Sequence, residues 1–169
     1  LLTAFVGAVL LFGFSHNVSA KRLMANPASV AEVNAAAAEA TATETIDITK
    51  LDVETSSDNS TAGDITEDTT LVAENFSVTI SPKASGNTPN RFWATTSGTE
   101  LRVYNGTITV KAAAGKTLNK IEFDQSRWGT VDADNGTLDG QIWTGEAETV
   151  VFTVSKQCRI TSISATVSD

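Results

Sequence analysis

The sequence predicts an all-β protein, an antiparallel β-sandwich of jelly-roll-like form, behind an N-terminal segment that is disordered or weakly helical. Two observations carry this. From residue 74 onward apolar and polar residues alternate with a period of two, the spacing of strands with one buried face. Turn-forming Gly, Asn, Asp and Pro residues punctuate that alternation at short intervals, and no convincing helical stretch interrupts it.

Taken in order, Glu44–Lys50 places Ile46 and Ile48 on one face and reads as the first strand, so the domain is predicted to span residues 44–169. Residues 55–70 have few apolar side chains and many turn formers, and read as a long loop. Glu74–Ser81 alternates Phe76, Val78 and Ile80 with Asn75, Ser77 and Thr79. Residues 82–89 form a loop through Gly86-Asn87, and Arg91–Thr95 a short aromatic strand. Glu100–Tyr104 and Thr107–Ala112 flank Asn105-Gly106, a strong hairpin signal, and are expected to pair across it. Leu118–Asp124 points Ile121 and Phe123 inward, and Gln141–Trp143, Glu148–Ser155 and Cys158–Ser168 complete the set. In the last strand Ile160 is out of phase with Ile163, Ala165 and Val167, which predicts a bulge near Thr161-Ser162.

The preceding residues give the chain an address. Residues 1–14 are uncharged and mostly large and apolar, in character the core of a secretory signal peptide. The run falls short of the about 20 apolar residues a membrane helix needs. Val18-Ser19-Ala20 supplies the small residues for cleavage before Lys21, so residues 1–20 read as a leader that begins within the signal, and no membrane span is expected after cleavage. Residues 21–43 are Ala-rich. Ser29-x-x-Glu32 after Pro27 permits a short helix, but an isolated helix of that length is marginal in water, and a flexible spacer is the preferred reading.

The net charge of −8 argues against nucleic acid, which calls for a basic patch. Its distribution sharpens this. Residues 21–74 hold eleven acids against Lys21, Arg22 and Lys50, whereas residues 75–169 hold nine acids and nine bases, so the domain from residue 75 carries neither excess. The sole histidine, His16, lies in the leader, so the cleaved chain has no Ser-His-Asp or Cys-His catalysis and no His-dependent zinc site. The sole cysteine, Cys158, cannot form an intramolecular disulfide and reads as a small buried hydrophobe in the last strand.

Two acidic constellations remain. Glu122, Asp124, Asp132, Asp134 and Asp139 include the carboxylates a glycoside hydrolase would need, although solvated loop acids in an Asp/Asn/Gly turn are the preferred reading. Asp132, Asp134 and Asp139 alternate oxygen ligands in the manner of a calcium loop, but the EF-hand spacing fails, with Gly136 at the fifth position and Trp143 at the twelfth. No other cofactor is implied, and no catalytic residue is assigned. The aromatic residues carry more. Trp93, Trp128 and Trp143, with Phe92 and Tyr104, stand beside Arg91, Arg102 and Arg127 in sequence. A flat ring stacks on the apolar face of a sugar while arginine and amide groups bond its hydroxyls. Trp128, between Arg127 and Gly129 in an expected loop, is the best candidate for exposure, with a place in the core as the alternative for each tryptophan.

The run Thr88-Pro-Asn-Arg-Phe-Trp93, then Leu101-Arg-Val-Tyr104, Gly115-Lys-x-Leu-x-Lys-Ile-Glu-Phe123, Trp143-Thr-Gly145 and the terminal Ile-x-x-Ile strand resembles a β-sandwich module that recurs in secreted and cell-surface proteins of Bacteroidota-type gut bacteria. The likeness spans roughly residues 44–169. It implies a non-catalytic, carbohydrate-binding-like module, with Arg91 and Arg102 at recurring positions that serve either a ligand or the packing of the sheets. The sequence therefore predicts a secreted or cell-surface binding module for extracellular or cell-wall carbohydrate, with Arg91, Trp93, Arg102, Tyr104, Trp128 and Trp143 as ligand-binding residues. A structural or adhesive module with a cell-surface protein as partner is the first alternative, and a carboxylate-dependent glycoside hydrolase the second.

Overall fold

The computed structural model describes residues 40–169. The expected leader and all but the last four residues of the expected spacer lie outside the described residues. Two antiparallel sheets hold the twelve strands among them. These are β1 (Thr41–Asp47), β2 (Thr69–Val72), β3 (Phe76–Ile80), β4 (Arg91–Thr95), β5 (Gly98–Val103), β6 (Gly106–Ala112), β7 (Thr117–Arg127), β8 (Val131–Ala133), β9 (Thr137–Asp139), β10 (Ile142–Ala147), β11 (Thr149–Val154) and β12 (Cys158–Ser168). The first sheet runs β4-β5-β12-β7-β10-β9 with β1 also on β12, and the second runs β2-β3-β6-β11-β8. From β5 to β12 every link except β9–β10 carries the chain from one sheet to the other, the alternation expected of a jelly-roll-like sandwich. No helix among the described residues is long and apolar enough to cross a membrane.

The core follows the period-two pattern. Phe76, Val78 and Ile80 of β3 and Ile108, Val110 and Ala112 of β6 are buried, facing Leu101, Val103, Ile121, Phe123, Ile163 and Ala165 of the first sheet. Phe123 meets Phe152 of the opposite sheet edge-on, with ring centroids 5.0 Å apart, the geometry aromatic quadrupoles prefer. Ile46 and Ile48 are both buried as expected, but β1 begins at Thr41, and Ile48–Lys50 turns into a single 3₁₀ turn capped by the Asp47 carboxylate on the Thr49 N–H.

β12 organises the first sheet. It pairs with β7 along one side, and its other side is divided between β5 at Cys158–Ile160 and β1 at Ser162–Ser168. Thr161 falls between the two partners, where the register with β7 slips, so the expected bulge marks the handover from one neighbour to the next.

The Asn105-Gly106 expectation is corrected. β5 and β6 do not form a hairpin; they belong to opposite sheets, and Asn105-Gly106 is the crossover between them. The positive φ that suggested a tight turn is present, at +128° for Gly106, but it serves a close approach to the Ser81 hydroxyl, the Pro82 carbonyl and the Asn90 amide. The hairpin that does form lies one strand earlier, between β4 and β5. Three strands that the alternation does not assign are also present. β2 pairs with β3, β8 joins the edge of β11, and β9 joins the edge of β10. The long loop before β2 is fastened to the open edge of β4, where Ser56 exchanges backbone hydrogen bonds with Phe92 and Ala94 and Asp64 bridges to Arg91.

Candidate functional site

Four neighbouring strands of the first sheet, β4, β5, β12 and β7, each contribute one residue to a transverse row. Arg91 stands opposite Arg102, Arg102 opposite Arg159, and Arg159 opposite Arg127. These are all the arginines of residues 40–169, and every lysine of that span lies off the row. Their facing follows from strand alternation. Phe92, Leu101, Val103, Cys158 and Ile160, the chain neighbours of the first three arginines, point into the core, which turns the arginines to the outer face.

Like charges directly opposite one another destabilise a sheet, and two acids offset half of this row. Asp64, brought in by the loop along β4, meets Arg91 Nε at 3.1 Å and accepts the Ser56 hydroxyl at 2.7 Å. Glu100, two residues before Arg102 on the same face of β5, meets Arg102 Nε at 2.9 Å and also accepts the Ser126 hydroxyl. All four charged side chains are largely shielded from water. Trp93, opposite Glu100, lies against both paired arginines. Its ring centroid is 4.3 Å from the Arg102 guanidinium carbon and 5.7 Å from that of Arg91, within reach of cation–π attraction.

The other half of the row has no such partners. Among the described residues no carboxylate pairs with Arg127 or Arg159. Arg127 is exposed and donates to Gln157 at 3.1 Å. Arg159 is half-buried, and its Nε is shut off from solvent with no acceptor. The next acid along β7, Asp124, accepts the Ser162 hydroxyl instead.

Of the six residues expected to bind a ligand, the structure therefore brings together Arg91, Trp93 and Arg102. Tyr104 follows the end of β5, half-buried, with Lys83 Nζ 5.5 Å from its ring centroid. The two remaining tryptophans belong elsewhere. Trp143 is fully buried, its indole N–H donated to the Asn135 carbonyl at 2.7 Å, so it is a core residue and offers no platform. Trp128 is half-buried against the core, its ring 5.2 Å from that of Phe123; alternation after Arg127 sends it inward, away from the arginine face. Arg159, Glu100 and Asp64 escaped the sequence reading because none adjoins an aromatic residue in the chain. The signal for Arg159 was its place between Cys158 and Ile160, two apolar residues that fix its face.

The acidic constellations do not assemble a cage. Asp134 accepts the Val151 N–H at 2.9 Å and the Asn135 amide at 2.9 Å, and so fastens β8 to β11. Asp132 lies on β8 in the second sheet and Asp139 on β9 in the first. Among the described residues no three such side chains gather as metal ligands. Three surface clefts, of about 200, 250 and 290 Å³, are lined by none of Glu122, Asp124, Asp132, Asp134 and Asp139. Cys158 is buried as expected; burial pushes its thiol above the ordinary range, partly countered by the Gly129 N–H at 3.3 Å. No family model, no curated protein and no solved structure matches the chain.

Proposed function

We propose that the chain is a secreted or cell-surface, non-catalytic binding module for extracellular or cell-wall carbohydrate, and that the ligand lies across the outer face of the first sheet. The single observation behind this reading is the contact of Trp93 with Arg91 and Arg102 on the outer face of the first sheet. An indole supplies the apolar face that a sugar ring covers, and guanidiniums fixed by Asp64 and Glu100 present donors in a set geometry to ring hydroxyls. Because these donors are already held, little side-chain entropy is lost on binding. The likeness to modules of gut-bacterial surface proteins points the same way.

Retention on immobilised polysaccharides, with Trp93→Ala and Arg102→Gln as controls, tests the assignment. Binding that falls in both variants while circular dichroism stays unchanged supports it. No retention on any polysaccharide, or retention untouched by Trp93→Ala, would remove it. A protein partner is the second reading, favoured by one feature: Val72, 78% exposed on the edge strand β2, offers an apolar side chain beside an unpaired strand edge.

A further inference from the structure

The arginine row is electrically uneven. Four guanidiniums with Asp64 and Glu100 leave a local charge of +2, and that surplus sits at one end, on Arg159 and Arg127. The cost is specific. Arg159 stands directly between two other arginines, and its Nε–H is buried without an acceptor, a costly condition for a charged group. The remainder of the chain makes the surplus more unusual still, because the net charge of the whole is −8 and no other arginine occurs after residue 22 outside this row.

We infer that the Arg127–Arg159 end of the row binds an anionic group on the carbohydrate, a uronate carboxylate or a sulfate ester, so that the ligand is an acidic polysaccharide. This rests on the carbohydrate reading above. A planar or tetrahedral oxyanion entering between the two side chains receives charge-assisted, fork-like donors from the outer nitrogens of both guanidiniums. Arg127 is free to turn toward it, since it is exposed and its one hydrogen-bond partner among the described residues is Gln157. Arginine suits this task better than lysine, whose single ammonium cannot engage two oxygens side by side. The sugar ring bearing the anion lies beyond Arg102 from Trp93, so the two halves of the row divide the work: Trp93 with Arg91 and Arg102 takes the uncharged face, and Arg159 with Arg127 takes the charge.

Three polymers with one backbone separate the terms: dextran, carboxymethyl-dextran and dextran sulfate, compared by affinity electrophoresis of the full chain. At least one of the charged polymers is expected to bind at least about tenfold more tightly than dextran, the worth of one charge-assisted hydrogen bond; which one distinguishes carboxylate from sulfate. Arg127→Gln and Arg159→Gln are each expected to remove about that factor, while Lys111→Gln, an equal loss of charge on the other sheet, changes binding less than twofold. Should Arg159→Gln fail to fold, the exposed Arg127→Gln decides alone. Dextran binding as well as both charged polymers overturns the anion assignment and leaves the carbohydrate reading standing. An equal loss in Lys111→Gln also overturns it, since attraction is then diffuse. Binding by none of the three overturns the anion assignment, and the retention test above then decides the carbohydrate reading by itself.

Discussion

Asn90 holds Tyr104 by its backbone: the buried Asn90 Oδ1 accepts the Tyr104 N–H at 2.8 Å, while Nδ2 donates to the carbonyls of Asn105 at 2.8 Å and Ser81 at 3.0 Å. One side chain thus satisfies both sides of the crossover from β5 to β6 and ties it to the end of β3. Asn90→Ala leaves those backbone groups unpaired in a dry site, at roughly 1–3 kcal/mol for each. A loss of about 3 kcal/mol in urea denaturation is expected. Asn90→Asp, which keeps the acceptor but turns a carboxylate oxygen onto two carbonyls in a dry site, should cost at least as much as Asn90→Ala.

Gly136 and Gly140 both have positive φ, at +65° and +57°, but they differ in their surroundings. A Cβ on Gly136 would overlap the Trp143 indole, whereas nothing stands near one on Gly140. Gly140→Ala is expected to cost about 1–2 kcal/mol from backbone conformation alone. Gly136→Ala should cost more and disturb the near-ultraviolet circular dichroism of the buried Trp143, which Gly140→Ala should leave intact.

Glu44 joins the sheets. From β1 its carboxylate accepts the backbone N–H groups of Glu74, at 2.9 Å, and Asn75, at 2.8 Å, in the turn between β2 and β3. The Glu74 N–H first, and the Asn75 N–H next, hold its pKa below the ordinary 4.5. A lowered pKa in the folded state means that the contribution is present in full above 4.5 and is lost as pH falls below it through the lowered value. The protection factor of the Asn75 amide against hydrogen exchange should therefore fall in that acidic window. In Glu44→Gln exchange should be faster at neutral pH, and this step should vanish.

Cys158 has a buried thiol whose ionisation burial opposes. Since thiolate is the reactive form, Ellman's reagent should label less than a few per cent of the folded protein in an hour at neutral pH, and react fully in denaturant. Rapid labelling of the folded chain would contradict the packing at Gly129.

The strands that were legible in the sequence are those with one buried face. Phe76, Val78 and Ile80 in β3, and Ile163, Ala165 and Val167 in β12, could be assigned from alternation alone, and the Ile160 phase error located the bulge. What was not legible depends on pairing. Asn105-Gly106 marks a position where φ is positive, and that conformation serves a crossover as well as a hairpin; only Asn90, fifteen residues away, decides between them. β8 and β9 are three residues each, too short to show a period. For the candidate site, Arg91, Trp93 and Arg102 were readable because they adjoin in the chain. Arg159 joins them only through the registers of β12, and Trp128, expected in an exposed loop, packs its ring beside Phe123.

Thr41 faces Ser168 at one end of the β1–β12 pair, and the two strands run antiparallel from there to Asp47 and Ser162. Tension applied between these two ends therefore bears on their hydrogen bonds one after another, in the manner of a zipper, instead of on all of them at once. β1 is the outermost strand on that side and its outer threonines bond only across the pair, Thr43 to Thr166 and Thr45 to Ser164. Under load β1 should peel away at low force while β12 stays seated on β7, so the arginine row, carried by the strands beyond the bulge, outlasts the first mechanical event.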